Sequence, residues 1–164
     1  DLGKWLINDH IEAVNYLGRF PYADTSRVGV WGWSGGGYFT ALALTKGADY
    51  FTTGVSIAPV TDWRLYDTAY TERYMGLLSE NEAGYNTASV LTYIDQFNGK
   101  LLLLHGTGDD NVHAQNTLWL MDKFIESGKQ ADMLFYPSRS HGIHGGNATY
   151  HLYSRMAEYF FENL

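Results

Sequence analysis

The 164-residue sequence contains no cysteine, only three prolines and few basic residues. Without cysteine it can form neither disulfide bonds nor a thiolate metal site, although this absence leaves the cellular compartment open. Eleven lysines and arginines stand against 18 aspartates and glutamates, which gives a net charge of −7. Non-specific binding to a phosphate backbone therefore has no electrostatic basis, and we expect no nucleic-acid partner.

Long apolar runs are also absent. Runs such as Leu101 to Leu104 are far shorter than the roughly 20 residues needed to cross a bilayer, so no membrane-spanning segment is expected. The composition is nevertheless 45% hydrophobic and 16% aromatic, which is enough apolar surface for a buried core. No internal repeat or low-complexity tract divides the chain, and we interpret residues 1–164 as one domain.

Short aliphatic or β-branched runs alternate strictly with helical patterns. The candidate strands are Arg27–Trp31, Thr53–Ile57, Lys100–His105 and Asp132–Tyr136. The candidate helices are Leu2–Leu17, Gly37–Thr45, Tyr66–Tyr74, Ala114–Ser127 and Tyr150–Glu162. This alternation predicts an α/β fold with a doubly wound, mostly parallel sheet of about four strands.

Two further expectations concern how this sheet is covered. The last two candidate helices carry apolar residues at spacings of three and four, so both should pack against the sheet. These residues are Leu118, Met121, Phe124 and Ile125 in one helix and Leu152, Met156, Tyr159 and Phe160 in the other. The first candidate strand has little polar alternation, which is typical of a central strand covered on both faces. Only three other strands could pair with it, so the domain is expected to be incomplete.

The sharpest motif is the G-x-S-x-G pentapeptide at residues 32–36, directly after a candidate strand and directly before a candidate helix. So tight a turn forces Ser34 into a strained backbone geometry and pushes its hydroxyl out over the end of the sheet. The following helix directs its positive end at this point, and the N–H of Gly35 could donate to a developing oxyanion. The motif predicts a nucleophilic serine; the alternative is a glycine-rich turn with a capping serine.

A serine hydroxyl reacts only if a base takes its proton and a third group orients that base. Asp109 and Asp110 follow the third candidate strand and His141 follows the fourth, at the strand ends where α/β sheets build their sites. The order serine, acid, histidine is that of the α/β hydrolases. Residue types alone do not separate the two aspartates, whereas His141 is favoured over His144 and His151 because it follows the strand most closely.

The other histidines suggest no further chemistry. The spacing His141-x-x-His144 invites a zinc site, but no third ligand falls in a recognised pattern, and we expect no metal. We expect His105 and His113 to brace loops through hydrogen bonds.

Five segments occur in an order known from one family: residues 32–38, 58–63, 70–76, 105–113 and 140–143. They resemble the catalytic domain of the prolyl-oligopeptidase-type serine peptidases, specifically its dipeptidyl peptidase IV branch. The resemblance implies an α/β-hydrolase fold that is truncated at its N-terminus. It also implies a serine exopeptidase that releases dipeptides, with proline or alanine before the scissile bond, from free amino termini through an acyl-enzyme, without metal or cofactor.

The resemblance also implies roles for individual residues. It matches Ser34 with the nucleophile, Asp109 with the triad acid and His141 with the general base. Asn111 matches a residue that hydrogen-bonds a substrate carbonyl. The residues that match the lining of the pocket before the scissile bond are Val60, Trp63, Tyr66, Tyr70 and Val112. Tyr66 and Tyr70 are four residues apart, so on a helix they would share one face and could hold a proline ring. The alternative is that these rings only pack against other aromatic side chains.

Two departures from the family pattern affect these expectations. Gly35 stands where the branch usually has tyrosine, so the pocket is expected to be wider. Family members also carry a β-propeller and further strands before this region. We therefore expect the chain to be the C-terminal part of a peptidase catalytic domain, weakly active or inactive alone, with a possible homodimer. The alternatives are an acylaminoacyl peptidase, a tripeptidyl peptidase, an esterase, or a non-catalytic dimerisation or interaction module.

Overall fold

The computed structural model describes residues 2–3 and 5–164. Six α-helices are assigned over these residues: α1 (Leu6–Leu17), α2 (Gly35–Ala43), α3 (Thr68–Met75), α4 (Glu82–Ala88), α5 (Gln115–Glu126) and α6 (Ala148–Asn163). Four strands lie between these helices: β1 (Gly29–Trp33), β2 (Thr53–Ile57), β3 (Lys100–Gly106) and β4 (Asp132–Tyr136). Two short 3₁₀ helices cover Trp63–Leu65 and Val90–Gln96.

The four strands form one parallel sheet in the order β1-β2-β3-β4. Trp33, Ile57, Leu104 and Leu134 align across the sheet, and all four strands run in the same direction. The loops that follow all four strands therefore emerge at the same edge of the sheet, where an α/β protein builds its site.

Helices cover the sheet on both faces. Leu101 and Leu103 of β3 pack in one core cluster with side chains of α1, α2 and α5. Leu102 and Leu104, which point to the opposite face, pack in a second cluster with side chains of α6. The predicted α/β fold with a doubly wound parallel sheet is thus confirmed.

The first strand departs from its predicted position. Over residues 2–3 and 5–164, β1 pairs with β2 alone, so it lies at an edge of this sheet rather than in its centre. Its Trp31 side chain is 51% exposed. The apolar sequence of β1 predicted a central strand covered on both faces. In this sheet β1 is instead an edge strand with one exposed large side chain.

The helices also differ in detail from the sequence prediction. The helix predicted from Leu2 begins at Leu6; its residue Lys4 lies outside the described residues. In α5, Phe124 is buried as predicted, whereas Leu118 and Ile125 are exposed, because the buried face runs through Leu120 and Phe124. In α6, Leu152, Met156 and Tyr159 are buried as predicted.

Two elements were not predicted. Helix α4 and the 3₁₀ segment Val90–Gln96 fill the stretch between α3 and β3. Asn81 marks the start of α4, because its side chain accepts a hydrogen bond from the backbone N–H of Gly84. Within the described ranges, none of the helices combines the length and apolar character needed to cross a membrane.

Candidate active site

Ser34 occupies the turn between β1 and α2 in a strained backbone conformation. Its φ of 60° and ψ of −118° lie outside the regions that non-glycine residues prefer, a cost of about 1–3 kcal/mol. Its N–H donates to the carbonyl of Ile57 at 2.8 Å, and its carbonyl accepts from the N–H of Tyr38 at 2.9 Å. The turn is thus fastened to β2 on one side and to the first turn of α2 on the other.

Glycine is required at two points of this turn. A Cβ on Gly32 would lie 2.3 Å from the carbonyl carbon and oxygen of Gly36, so the two ends of the turn approach more closely than any side chain allows. A Cβ on Gly37 would lie 2.7 Å from the carbonyl oxygen of Ile57 in β2. The strained serine therefore depends on glycines before and after it.

The contact at Gly32 predicts a specific loss of stability. Gly32→Ala should lower the midpoint of thermal unfolding of the full-length protein, with a loss of about 1–3 kcal/mol in stability, because backbone atoms of Gly36 must move. The matched control is Gly36→Ala, whose added Cβ would meet nothing within 4 Å. Equal midpoints for the two variants, measured by differential scanning calorimetry, would contradict this description of the turn.

Asp109 lies in the loop after β3 with only 3% of its surface exposed. Its Oδ1 accepts the backbone N–H groups of Asn111 at 3.0 Å and Val112 at 2.9 Å. Its Oδ2 accepts the Nδ1–H of His141 at 2.8 Å. Asp110, which the residue types did not distinguish from Asp109, is exposed. The structure thus brings one of the two aspartates to His141.

The loop after β4 carries His141 back across the sheet. The carbonyl of Arg139 accepts the N–H of Gly108 at 3.0 Å, which joins this loop to the one after β3. The carbonyl of His141 accepts the indole N–H of Trp33 at 2.8 Å, which joins it to the end of β1. The loop therefore spans from β4 to the residue next to Ser34, and it brings the predicted acid, base and nucleophile to one edge of the sheet.

The protonation of His141 follows from its partner. Because the carboxylate of Asp109 can only accept, Nδ1 carries the proton and Nε2 of a neutral imidazole is left with its lone pair. Across residues 2–3 and 5–164, no hydrogen bond joins Ser34 Oγ to His141. Such bonds are often long in ligand-free enzymes and shorten when substrate binds.

The competing histidines lie elsewhere. His144 is exposed, and His151 on α6 is an exposed residue whose Nδ1 lies 3.1 Å from the hydroxyl of Tyr136. His113 braces its own loop, as predicted, by accepting the N–H of Gln115 at 3.2 Å. Groups of three or more histidine or carboxylate side chains suited to a metal ion do not occur in the part of the chain that the structure describes.

An aromatic cluster stands beside the loop of Asp109. The rings of Trp63 and Tyr70 are nearly parallel, with centroids 5.8 Å apart and an angle of 20° between their planes. Tyr66 meets both rings edge-on, and its hydroxyl donates to Asn111 Oδ1 at 3.0 Å. Trp63 also meets the ring of Tyr38 on α2, at 5.1 Å. The cluster therefore contacts both the helix that follows Ser34 and the loop that holds Asp109.

The structure corrects the predicted position of Tyr66. This residue is in an extended conformation between the 3₁₀ helix Trp63–Leu65 and α3, so it does not share a helix face with Tyr70. The reason is Asp67, whose carboxylate accepts the N–H of Tyr70 at 2.8 Å and starts α3 after Tyr66. The two tyrosine rings nevertheless meet, with centroids 5.5 Å apart.

The remaining residues of the predicted pocket differ in exposure. Val60 and Val112 are 2% and 0% exposed and belong to the hydrophobic core, and Trp63 is 4% exposed. Tyr70, in contrast, is 41% exposed, and Asn111 is also exposed. Tyr66, Tyr70 and Asn111 thus form the solvent-facing part of the set.

Trp33 and His105 also contact the site, although the sequence pattern gives no signal for the first and predicts only loop bracing for the second. Trp33 is the second residue of the G-x-S-x-G motif, and its indole N–H joins the serine turn to the histidine loop. His105 braces the loop after β3, as predicted, through the carbonyl of Val112 at 2.8 Å, and its Nε2 also lies 3.2 Å from Asp109 Oδ2. No spacing rule indicates either contact, since each depends on how two loops meet in space.

A parallel α/β sheet with a strained serine turn, and with an Asp–His pair in the loops after its last two strands, defines an α/β-hydrolase fold. The profile of the prolyl oligopeptidase family matches residues 1–164, and the chain belongs to that family.

Individual relatives agree with this assignment. A protein of Arthroderma gypseum named "Probable dipeptidyl-aminopeptidase B" is 44% identical over an alignment of 163 residues that covers 97% of this chain and 18% of that protein. A protein of the same name from Uncinocarpus reesii is also 44% identical, with the same shares covered. The crystal structure of dipeptidyl peptidase 4 from Porphyromonas gingivalis matches with a TM-score of 0.97 and 44% identity, over 100% of this chain and 23% of that one. The chain thus spans about a fifth of the length of these relatives.

Proposed function

We propose that Ser34, His141 and Asp109 are the catalytic triad of a serine peptidase. The observation that carries this proposal is the 2.8 Å bond from His141 Nδ1 to Asp109 Oδ2, made by a loop that is tied to the residue next to Ser34. This bond leaves His141 Nε2 free to act as a base on the side of the ring away from Asp109. The strained conformation of Ser34 supports the role of nucleophile.

The geometry suggests the following acyl-transfer sequence. Ser34 Oγ bonds to the carbonyl carbon before the scissile bond while His141 Nε2 takes the hydroxyl proton. The N–H of Gly35, as the first residue of α2, has no acceptor within the helix and can donate to the oxyanion that forms. The C–N bond then breaks as His141 returns the proton to the leaving amine. Water, activated by His141 in turn, hydrolyses the ester on Ser34 and restores the hydroxyl.

We infer that the peptides released are dipeptides, with proline or alanine before the scissile bond. The relatives named as dipeptidyl peptidases, at 44% identity, support this assignment. The rings of Trp63, Tyr66 and Tyr70 offer a flat apolar surface suited to a proline ring. Because Tyr66 donates to Asn111 Oδ1, the amide N–H₂ of Asn111 is left to donate to a substrate carbonyl.

We further propose that residues 1–164 are the C-terminal part of the catalytic domain. The remainder of the protein would then supply the groups that bind the free amino terminus of the substrate, together with the second oxyanion donor. Loss of one such donor typically costs about 10²- to 10³-fold in rate, so the chain alone should be a weak catalyst. A homodimer formed through this domain belongs to the same proposal.

A panel of chromogenic substrates tests the proposed substrate class in the full-length protein. We expect hydrolysis of dipeptidyl nitroanilides that carry proline or alanine before the nitroanilide, and loss of hydrolysis when their amino terminus is acetylated. Preferential cleavage of the acetylated substrates would instead indicate an acylaminoacyl peptidase. Hydrolysis of simple esters alone would indicate an esterase.

The glycine at position 35 leads to a prediction about the pocket for the residue before the scissile bond, namely how strongly that pocket prefers proline. The residue is exposed, and a Cβ added there would meet nothing within 4 Å, so a side chain could be accommodated without moving the turn. Without that side chain the pocket should be wide, and we expect the wild-type protein to cleave after leucine as well as after proline and alanine. Gly35→Tyr should raise the kcat/KM ratio of proline over leucine substrates about tenfold or more.

The control for this prediction is Gly36→Ala, which also adds a Cβ into open space but one residue further along α2. It should leave the proline-to-leucine ratio unchanged. A strict proline preference in the wild-type protein would contradict the wide pocket.

A further inference from the structure

His105 is a buried imidazole that the proposed mechanism does not use. It lies in β3, and none of its surface is exposed. Its Nδ1 is 2.7 Å from Thr117 Oγ1 on α5, and its Nε2 is 2.8 Å from the carbonyl oxygen of Val112. The same Nε2 lies 3.2 Å from Asp109 Oδ2. Both ring nitrogens therefore have partners, and one partner is the proposed triad acid.

These partners determine where the ring proton lies. A backbone carbonyl can only accept, so His105 Nε2 carries the hydrogen. The hydroxyl of Thr117 then donates to Nδ1, which acts as the acceptor. Burial lowers the pKa of His105, so the imidazole stays neutral at neutral pH. The ring thus donates an uncharged N–H to the carbonyl of Val112, and the same nitrogen lies 3.2 Å from Asp109 Oδ2.

This N–H completes the surroundings of the carboxylate. Oδ1 of Asp109 is held by the backbone N–H groups of Asn111 and Val112. Oδ2 lies between two imidazoles, with His141 Nδ1 at 2.8 Å and His105 Nε2 at 3.2 Å. With donors on both oxygens, the carboxylate cannot rotate without losing a bond, so the direction of its bond to His141 is fixed.

We propose that His105 is a positioning residue: its Nε2–H holds the carboxylate of Asp109 in the orientation that fixes His141, without placing a second positive charge beside it. The inference rests on the proposed function of Asp109 and His141. An uncharged donor suits this place because the positive charge that develops during acyl transfer then belongs to His141 alone.

Two amide variants in the full-length protein separate this role from a purely structural one. The amide nitrogen of glutamine reaches about as far as His Nε2, so His105→Gln can still donate towards Asp109. The amide nitrogen of asparagine reaches only as far as Nδ1, so His105→Asn cannot. We expect His105→Asn to lower kcat by about 10- to 100-fold with little change in KM, and His105→Gln to recover most of this loss. His10→Gln, at an exposed histidine on α1 that has no part in the proposed site, is the control and should leave kcat unchanged.

The pH profile provides a readout that a folding defect would not change. Within residues 2–3 and 5–164, the charged or titratable groups that face His105 are Asp109 and His141, since α5 contributes the hydroxyl of Thr117 and β4 the ring of Phe135. Loss of a donor leaves more of the negative charge of the carboxylate to attract a protonated imidazole beside it. The acidic limb of kcat/KM should therefore move to higher pH in His105→Asn and return in His105→Gln.

Each possible result of these measurements either supports or overturns the positioning role of His105. Equal kcat values and identical pH profiles for the two variants, in a wild-type background that cleaves substrate, would overturn the role of His105 while leaving the proposed function intact. Neutron diffraction of wild-type crystals tests the same role without a variant. Deuterium on His105 Nε2 is expected, and deuterium on Nδ1 alone would overturn the proposal even if both variants failed to fold. A wild-type protein that cleaves no peptide would refute the proposed function instead.

Discussion

Replacing Ser34 with alanine should reduce kcat of the full-length protein by about 10⁴- to 10⁶-fold, with little change in KM or in the midpoint of thermal unfolding. The reason is that the oxygen that bonds to substrate is lost, while the turn around it is held by backbone hydrogen bonds to Ile57 and Tyr38 that alanine preserves. Steady-state kinetics with a dipeptidyl nitroanilide measures this loss.

A matched serine provides the control for this variant. Ser79 is an exposed serine between α3 and α4 and plays no part in the proposed site. Ser79→Ala should therefore keep kcat within about twofold of the wild-type value. If Ser34→Ala retained comparable activity, the nucleophile would have to be a different residue.

Replacing Asp109 with asparagine should reduce kcat at neutral pH by about 10⁴-fold, the loss typical of a triad acid changed to its amide. Oδ1 is held by two backbone N–H groups, so the oxygen of an asparagine would stay there and its N–H₂ would face His141. A donor at this point forces the proton of His141 onto Nε2. The imidazole could then no longer take the proton of Ser34.

Asp110→Asn is the control for this change, because it makes the same substitution at the adjacent, exposed residue. It should alter kcat by less than about twofold. This pair of variants also resolves experimentally the choice between two neighbouring carboxylates that residue types alone left open. Equal losses in both variants would contradict the assignment of Asp109.

The sheet could be predicted from sequence because each strand is a short apolar run between turn residues. β2 and β4 have the predicted bounds, and β3 ends one residue later than predicted, at Gly106. β1 starts and ends two residues later than predicted, at Trp33, because Gly32 and Trp33 continue the strand into the serine motif. Short polar elements carry a weaker signal, and α4 was missed although Asn81 caps it.

The site could be predicted only in part. The serine turn has a sequence signature because its close approach demands glycine at position 32. The aromatic cluster shows why residue spacing fails in a loop. The rings of Tyr66 and Tyr70 do meet, but not on one helix face. Tyr66 is an extended residue just before Asp67, which caps the helix that carries Tyr70.

Contacts between different loops leave no periodic pattern in the sequence. The bond from Trp33 to the carbonyl of His141 joins residues 108 positions apart, and the bond from His141 to Asp109 joins residues 32 positions apart. These contacts became visible only when the strand order and the path of the loop after β4 were known.

The central claim is that the turn at Ser34 and the Asp109–His141 pair act together as one nucleophilic site. Its most direct test is to treat the full-length protein with a fluorophosphonate and to locate the adduct by peptide mass spectrometry. The account predicts a single adduct on Ser34, formed rapidly in the wild-type protein and strongly slowed in Asp109→Asn. An adduct on another serine, or no adduct in a protein that still cleaves dipeptidyl substrates, would contradict it.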